Sequence, residues 1–182
     1  MLDCKLSKEE SEFLADRFAE ARNVIEFGTS CCSILACKYA KENVYLFEED
    51  QKRAEKIKEE CEALRTPIQP LVARIPRGPV TVHGVTHSVM HLHGAFDGRD
   101  QRNCDLIVYN AQMGPTWLLN AMVKGAMFAD FIVVNFDEHI LSDCMHFLDI
   151  IGQEGHAAIL RRKPTFNINV VKDVLFRQET AY

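Results

Sequence analysis

Four short apolar runs constrain this chain more than any other feature. They are VIEF (24–27), VYLF (44–47), LIVY (106–109) and FIVV (131–134). Each run is short and rich in β-branched or aromatic residues, which suits a strand covered on both faces better than a buried helix. Each is followed by a polar or glycine-containing stretch and then by residues with helical spacing. Only the first run carries a charge, Glu26.

The intervening segments read as helices. SKEE (7–10) is a capping-box pattern, and Phe13, Leu14, Phe18 and Ala21 mark one face of the helix it opens. Residues 34–39 suit a second helix. Asp50 can cap a third, in which Ala54, Ile57, Cys61 and Leu64 repeat at three and four residues. Gly114 and Pro115 start a helix running to about Lys124, with Pro115 at a tolerated first-turn position. A further helix is expected over 140–151, stopped by Gly152. Residues 66–79 hold Pro67, Pro70, Pro76 and Pro79 and read as loop or edge. Residues 80–85 are a third strand candidate. The stretch 86–103 reads as an irregular excursion over one end of the sheet, so 66–103 forms one insertion. Residues 157–160 and 170–176 complete a set of about seven strands, as an antiparallel pair at the C-terminal edge. The expectation is a single α/β domain over 1–182, a doubly wound, mostly parallel sheet with helices on both faces.

Composition narrows the function classes. The net charge of −5 leaves no electrostatic footprint for nucleic acid, and the densest basic run, Arg161 to Lys163, reads as solvated surface. No apolar run approaches the roughly 20 residues that span a bilayer. The start, MLDCKLSKEE, lacks the apolar core of a signal peptide. Seven cysteines, an odd number without a C-x-x-C pair, suit a reducing compartment, so the expected location is cytoplasmic. Most of those cysteines read as small buried hydrophobes.

In a sheet of this kind ligands sit beyond the carboxyl ends of the strands, where the strand order reverses. The first such end is Glu26-Phe27-Gly28-Thr29-Ser30. Glu48 ends the second strand, twenty residues after Gly28. A carboxylate there can accept both hydroxyl hydrogens of a ribose lying across the first turn. A nicotinamide dinucleotide needs glycines at G-x-G-x-x-G so that backbone amides reach its pyrophosphate. Counted from Gly28, those positions hold Gly28, Ser30 and Ser33, which argues against NAD. S-adenosylmethionine has no pyrophosphate and asks less of the loop. The β-carbon of Ser30 would narrow the approach to the methionine end. A positive φ at Ser30 or Cys31 would cost about 1–2 kcal/mol each.

The stretch VIEFGTSCCSILACKYAKENVYLFEED resembles the opening of class I S-adenosylmethionine-dependent methyltransferases, closest to small bacterial methyltransferase-like proteins. Glu26, Phe27, Gly28, Ser33, Glu48 and Asp50 stand on the family's pattern, whereas Ser30, Cys31 and Cys32 replace Gly, Gly and Ser. CDLIVYNAQ is similar to the fourth strand, with Asp105 matching and Asn110, Ala111 and Gln112 departing. FIVVNFDEH is similar to the fifth, with Asp137 and Glu138 at its end. The resemblance implies that Gly28 and its neighbours, Glu26, Phe27, Thr29, Ser30 and Ser33, hold the methionine end. It places the ribose on Glu48 and the adenine in the loop after the third strand. It turns Asn110 and, more distantly, Gln112 and Asp137 toward the methyl group and a small-molecule or protein partner. Asn110 cannot act as a base but can orient an acceptor. The departures cluster where chemistry would be carried, the pattern of a changed ligand or a lost activity. The alternative is a non-catalytic Rossmann-like protein-interaction module.

Other groupings weigh less. His83, His87 and His91 are spaced by four, with His93 and Cys104 near, but Gly84, Gly94 and the β-branched residues argue against a metal-binding helix face, and no metal is assigned. Cys31 and Cys32 precede a helix and read as packing in a turn that lost its glycines. Cys144 and His146 are two apart on an expected helix and diverge. Trp117 reads as packing on the sheet.

Overall fold

The computed structural model describes residues 6–74, 77–82, 85–90 and 103–180. In chain order the first elements are α1 (Lys8–Glu20), β1 (Asn23–Phe27), α2 (Cys31–Tyr39), β2 (Asn43–Glu48), α3 (Gln51–Ala63), β3 (Leu71–Arg74), β4 (Arg77–Val82) and β5 (Val85–Met90). There follow β6 (Leu106–Asn110), α4 (Pro115–Lys124), β7 (Asp130–Val134), α5 (Ser142–Met145), β8 (Leu148–Glu154), β9 (Ala157–Arg162) and α6 (Ile168–Thr180).

The four apolar runs form the centre of a seven-stranded sheet of order β3-β2-β1-β6-β7-β9-β8. Strands β3 to β7 along that order are parallel, and β9 runs antiparallel to both β7 and β8. The chain leaves β1 in one direction, to β2 and β3, then returns to lay β6 on the other side of β1. The strand order therefore reverses between β1 and β6, which opens a crevice at their carboxyl ends. The fold is an α/β doubly wound sheet with an antiparallel C-terminal pair.

Alternate residues of each central strand enter opposite cores. Ile25, Phe27, Phe47, Ile107, Tyr109, Phe131 and Val133 pack with α4 and α6. Val24, Val44, Leu46, Leu106, Val108, Ile132 and Val134 pack with α1, α2 and α3. Continuous apolar sequence thus arises from two buried faces.

Helix starts follow the sequence. Ser7 accepts from Glu10 N–H at 3.0 Å, while Glu10 accepts from Ser7 N–H at 2.7 Å. Asp50 accepts from the N–H groups of Lys52 and Arg53. Glu10 also accepts from His156 N–H at 2.6 Å, which ties α1 to the turn between β8 and β9.

Several expectations are corrected. The third strand of the sheet is Leu71–Arg74, while Val80–Val82 and Val85 lie on β4 and β5, which pair antiparallel in a separate two-stranded sheet. The insertion is therefore not wholly irregular. Residues 140–151 are not one helix: only Ser142–Met145 is helical, and β8 starts at Leu148. Residues 170–176 are not a strand but lie in α6, where Val171 and Leu175, four apart, are buried against α4. The antiparallel pair is β8 with β9. Its ladder shifts register between Ile150 and Gly152 on the outermost strand. On α3, Leu64 caps the C-terminus and is exposed rather than packed.

The basic run at 161–163 is structural. Arg162 is buried and donates to the carbonyls of Met122, Ala126, Met127 and Ala129, closing the end of α4 and the turn after it. Its guanidinium lies between the rings of Phe131 and Phe166. Arg161 holds buried Asp130 through two 2.7 Å bonds, and Arg17 of α1 holds it from the other side. Lys163 Nζ donates to Met145 O at 2.8 Å.

Candidate functional site

The crevice begins at the tip of β1. Glu26 faces the α2 side of the sheet and Phe27 the other, as strand alternation requires. Phe27 stacks on Phe47 of the neighbouring strand, with ring centroids 5.6 Å apart, and meets Trp117 at 5.7 Å. Trp117 is thereby a core residue, as the sequence suggests.

Gly28 then turns the chain with φ of +73°, a conformation that suits glycine. Its N–H donates to Phe47 O at 2.9 Å, so the turn leans toward β2. A β-carbon at Gly28 would meet Met113 Sδ at 3.3 Å. The Met113 side chain, carried on the 3-10 turn Ala111–Met113 after β6, thus lies against the first turn.

The substituted glycine positions are unstrained. Ser30 has φ of −141° and is the N-cap of α2, so the cost of a positive φ does not arise there. Ser30 Oγ donates to Glu26 Oε1 at 2.6 Å and accepts from Cys32 N–H at 3.1 Å. Ser33 Oγ accepts from Ser30 N–H at 3.0 Å, completing a capping box. Cys31 is half-buried and Cys32 fully buried, consistent with packing in the turn.

Glu48 is 6% exposed at the tip of β2 and reaches back to the same turn. Its Oε2 accepts from Thr29 N–H at 2.8 Å and from the Thr29 hydroxyl at 2.6 Å. Its Oε1 accepts from the N–H groups of Glu49 at 2.8 Å and Asp50 at 3.0 Å. Gly28 and Glu48 therefore stand at adjacent strand tips, with Thr29 bridging them.

Across the switch, Asn110 ends β6 and accepts from Asn135 Nδ2 at 3.2 Å. Asn135 follows β7 with φ of +53°, one of two non-glycine residues with positive φ among those described. Asn tolerates that region better than most residues. Asp137 lies further out, exposed, and accepts from the N–H groups of His139 and Ile140, so it shapes its own turn. Gln112 sits within the 3-10 turn. The loop expected to hold adenine, 86–103, is described only at 86–90, on β5, and at 103; His83, His91 and His93 lie outside the described residues. His87 lies on β5. Cys144 is buried with Sγ directed at Pro115 O, while His146 is exposed, so the two do not pair.

Sequence reasoning did not single out Met113, whose sulfur lies against Gly28, or Asn135, which donates to Asn110; no spacing rule links either to Gly28. Burial pushes thiols in the neighbouring core up, Cys104 to about 11 and Cys144 to about 12.

The described residues contain no helix long and apolar enough to cross a membrane. No protein-family model matches the sequence, and no curated protein matches it. Solved structures do match. A methyltransferase-like protein from Silicibacter pomeroyi superposes with a TM-score of 0.69 at 17% identity, over 98% of this chain and 97% of that one. A methyltransferase from Geobacter sulfurreducens gives 0.63 at 14% identity, over 87% and 79%. An O-methyltransferase from Bacillus cereus in complex with SAH gives 0.63 at 14% identity, over 86% and 81%. The chain has the fold of the class I S-adenosylmethionine-dependent methyltransferases.

Proposed function

We propose that this chain is a methyltransferase-like protein that binds S-adenosylmethionine, or a related nucleoside, across the carboxyl ends of β2, β1 and β6. One observation carries the reading: Gly28, at φ of +73°, and the Glu48 carboxylate face each other through Thr29 at adjacent strand tips. A glycine lets a ligand approach the backbone closely, and a carboxylate at the next tip selects a hydroxylated sugar. The residues fit the group provided that two side chains turn aside, Met113 from Gly28 and Thr29 from Glu48. Both are movements of side chains, and Ser30 carries no positive φ.

S-adenosylmethionine supplies an electrophilic methyl group on a sulfonium. The chain's part is alignment. Gly28, the backbone of Thr29 and the capped start of α2 would hold the methionine end, with Glu26 fixing Ser30. Glu48 holds the sugar. Asn110, steadied by Asn135, orients an acceptor by hydrogen bonds, and alignment of nucleophile and leaving group accounts for much of the rate in such transfers. The acceptor is a small molecule or a partner protein that presents its nucleophile at the Asn110 side.

Isothermal titration and thermal denaturation with S-adenosylmethionine and S-adenosylhomocysteine test the reading. At one hundred times the dissociation constant, bound ligand stabilises the fold by about 2.7 kcal/mol. A rise in melting temperature with either ligand is the expected result. No heat and no rise at millimolar ligand would leave a scaffold without a nucleoside site.

A further inference from the structure

A carboxylate offers about four lone-pair positions. On Glu48 all four are engaged: Thr29 N–H and Thr29 Oγ1–H on one oxygen, Glu49 N–H and Asp50 N–H on the other. Three of these donors are backbone groups. Thr29 N–H is set by the turn at Gly28, which is itself bonded to Phe47 O. Asp50 is the N-cap of α3, so its N–H and that of Glu49 are fixed by the strand-to-helix corner. None of the three can turn aside as a side chain can, and rotating Glu48 away would leave all three backbone donors without their acceptor. The fourth donor, the Thr29 hydroxyl, rotates about one side-chain bond.

We infer that Glu48 grips a nucleoside sugar through one hydroxyl only, and that the Thr29 hydroxyl is the internal stand-in which that sugar hydroxyl displaces. The inference rests on the nucleoside reading above. The exchange conserves hydrogen bonds, one O–H donor for another at a charge-assisted 2.6 Å site. A vicinal diol finds one acceptor position rather than two, so the two sugar hydroxyls contribute unequally. Thr29 becomes a specificity-determining residue: it competes with the ligand and sets how tightly any hydroxylated nucleoside is held.

The test is calorimetric binding of S-adenosylhomocysteine, adenosine, 2′-deoxyadenosine and 3′-deoxyadenosine to the full chain, to Thr29→Val and to Thr29→Ser. With the unaltered chain, loss of one hydroxyl should weaken adenosine binding about tenfold, and loss of the other less than about threefold. Thr29→Val keeps the shape, removes the competing donor, and should bind S-adenosylhomocysteine at least about threefold tighter. Thr29→Ser should match the unaltered chain within about twofold. Equal losses for the two deoxy forms would overturn the single-hydroxyl grip. Weaker binding by Thr29→Val would overturn the stand-in role, because the threonine would then be a ligand contact. If Thr29→Val does not fold, the deoxy comparison on the unaltered chain decides alone. No binding of any nucleoside by any of the three proteins would remove the nucleoside reading and this inference together. Binding with equal deoxy losses removes only the inference.

Discussion

Ser30 shows how a residue that breaks a sequence pattern can be well placed. A serine where a glycine is usual suggests strain or obstruction. The structure has neither, because the only positive φ in this turn belongs to Gly28. Ser30 instead caps α2 and gives buried Glu26 a hydroxyl donor. Ser30→Gly should therefore destabilise the fold by about 1–2 kcal/mol: a few tenths for the cap, the rest for the lost donor to a buried carboxylate. Urea denaturation measures it, and an unchanged midpoint would show that Glu26 does not depend on the serine. At this scale Gly28 and Glu48 are legible in the sequence, because their spacing follows from strand and helix lengths. Met113 against Gly28 and the Thr29 hydroxyl on Glu48 are not, since both depend on side-chain directions that only the assembled sheet fixes.

Among the elements, the misread segments share a cause. In residues 140–151, apolar positions three and four apart imitate a helix, yet Ile150 and Ile151 are exposed on an edge strand. In residues 170–176, β-branched valines imitate a strand, but Val171 and Leu175 lie on one helical face against α4. Tertiary packing overrides local propensity in both. Prolines at 67 and 70 disguise β3, whose place at the edge tolerates them nearby. The turn between β8 and β9 supplies the element-scale prediction. Gly155 has φ of +53°, and a β-carbon there would lie 2.4 Å from Glu10 Oε1. That carboxylate is pinned by Ser7 N–H and His156 N–H. Gly155→Ala should cost about 2–3 kcal/mol. In a Glu10→Ala background the cost should shrink to the backbone part, about 1–2 kcal/mol. A double-mutant cycle by chemical denaturation checks both figures.

For the whole molecule, burial of Cys104 in one of the two cores makes stability depend on alkaline pH. Burial pushes the fully enclosed Cys104 thiol from about 9 up to about 11, and the charge of Asp105 adds to it. The folded chain keeps this thiol protonated where the unfolded chain has lost its proton. The contribution is therefore complete below about pH 9 and fades as pH climbs to about 11. Two units correspond to about 3 kcal/mol. Urea unfolding of the unaltered chain and of Cys104→Ala at pH 8, 9.5 and 11 isolates the effect. The unaltered chain should lose stability more steeply, and parallel curves would remove Cys104 from the account. The parallel core and its switch between β1 and β6 follow from the four apolar runs, whereas the order of the C-terminal pair and the role of Arg162 in closing α4 emerge only when the strands are assembled.

The slipped ladder on β8 bears on how the sheet ends. An open margin of uniform hydrogen-bonding groups invites another chain to continue it. Beside Gly152 the outer strand changes step, so an incoming strand that matches the first half of the margin falls out of phase with the second. The apolar pair Ile150 and Ile151 sits at that break, and the irregularity therefore guards the stickiest part of the border against stacking into fibres.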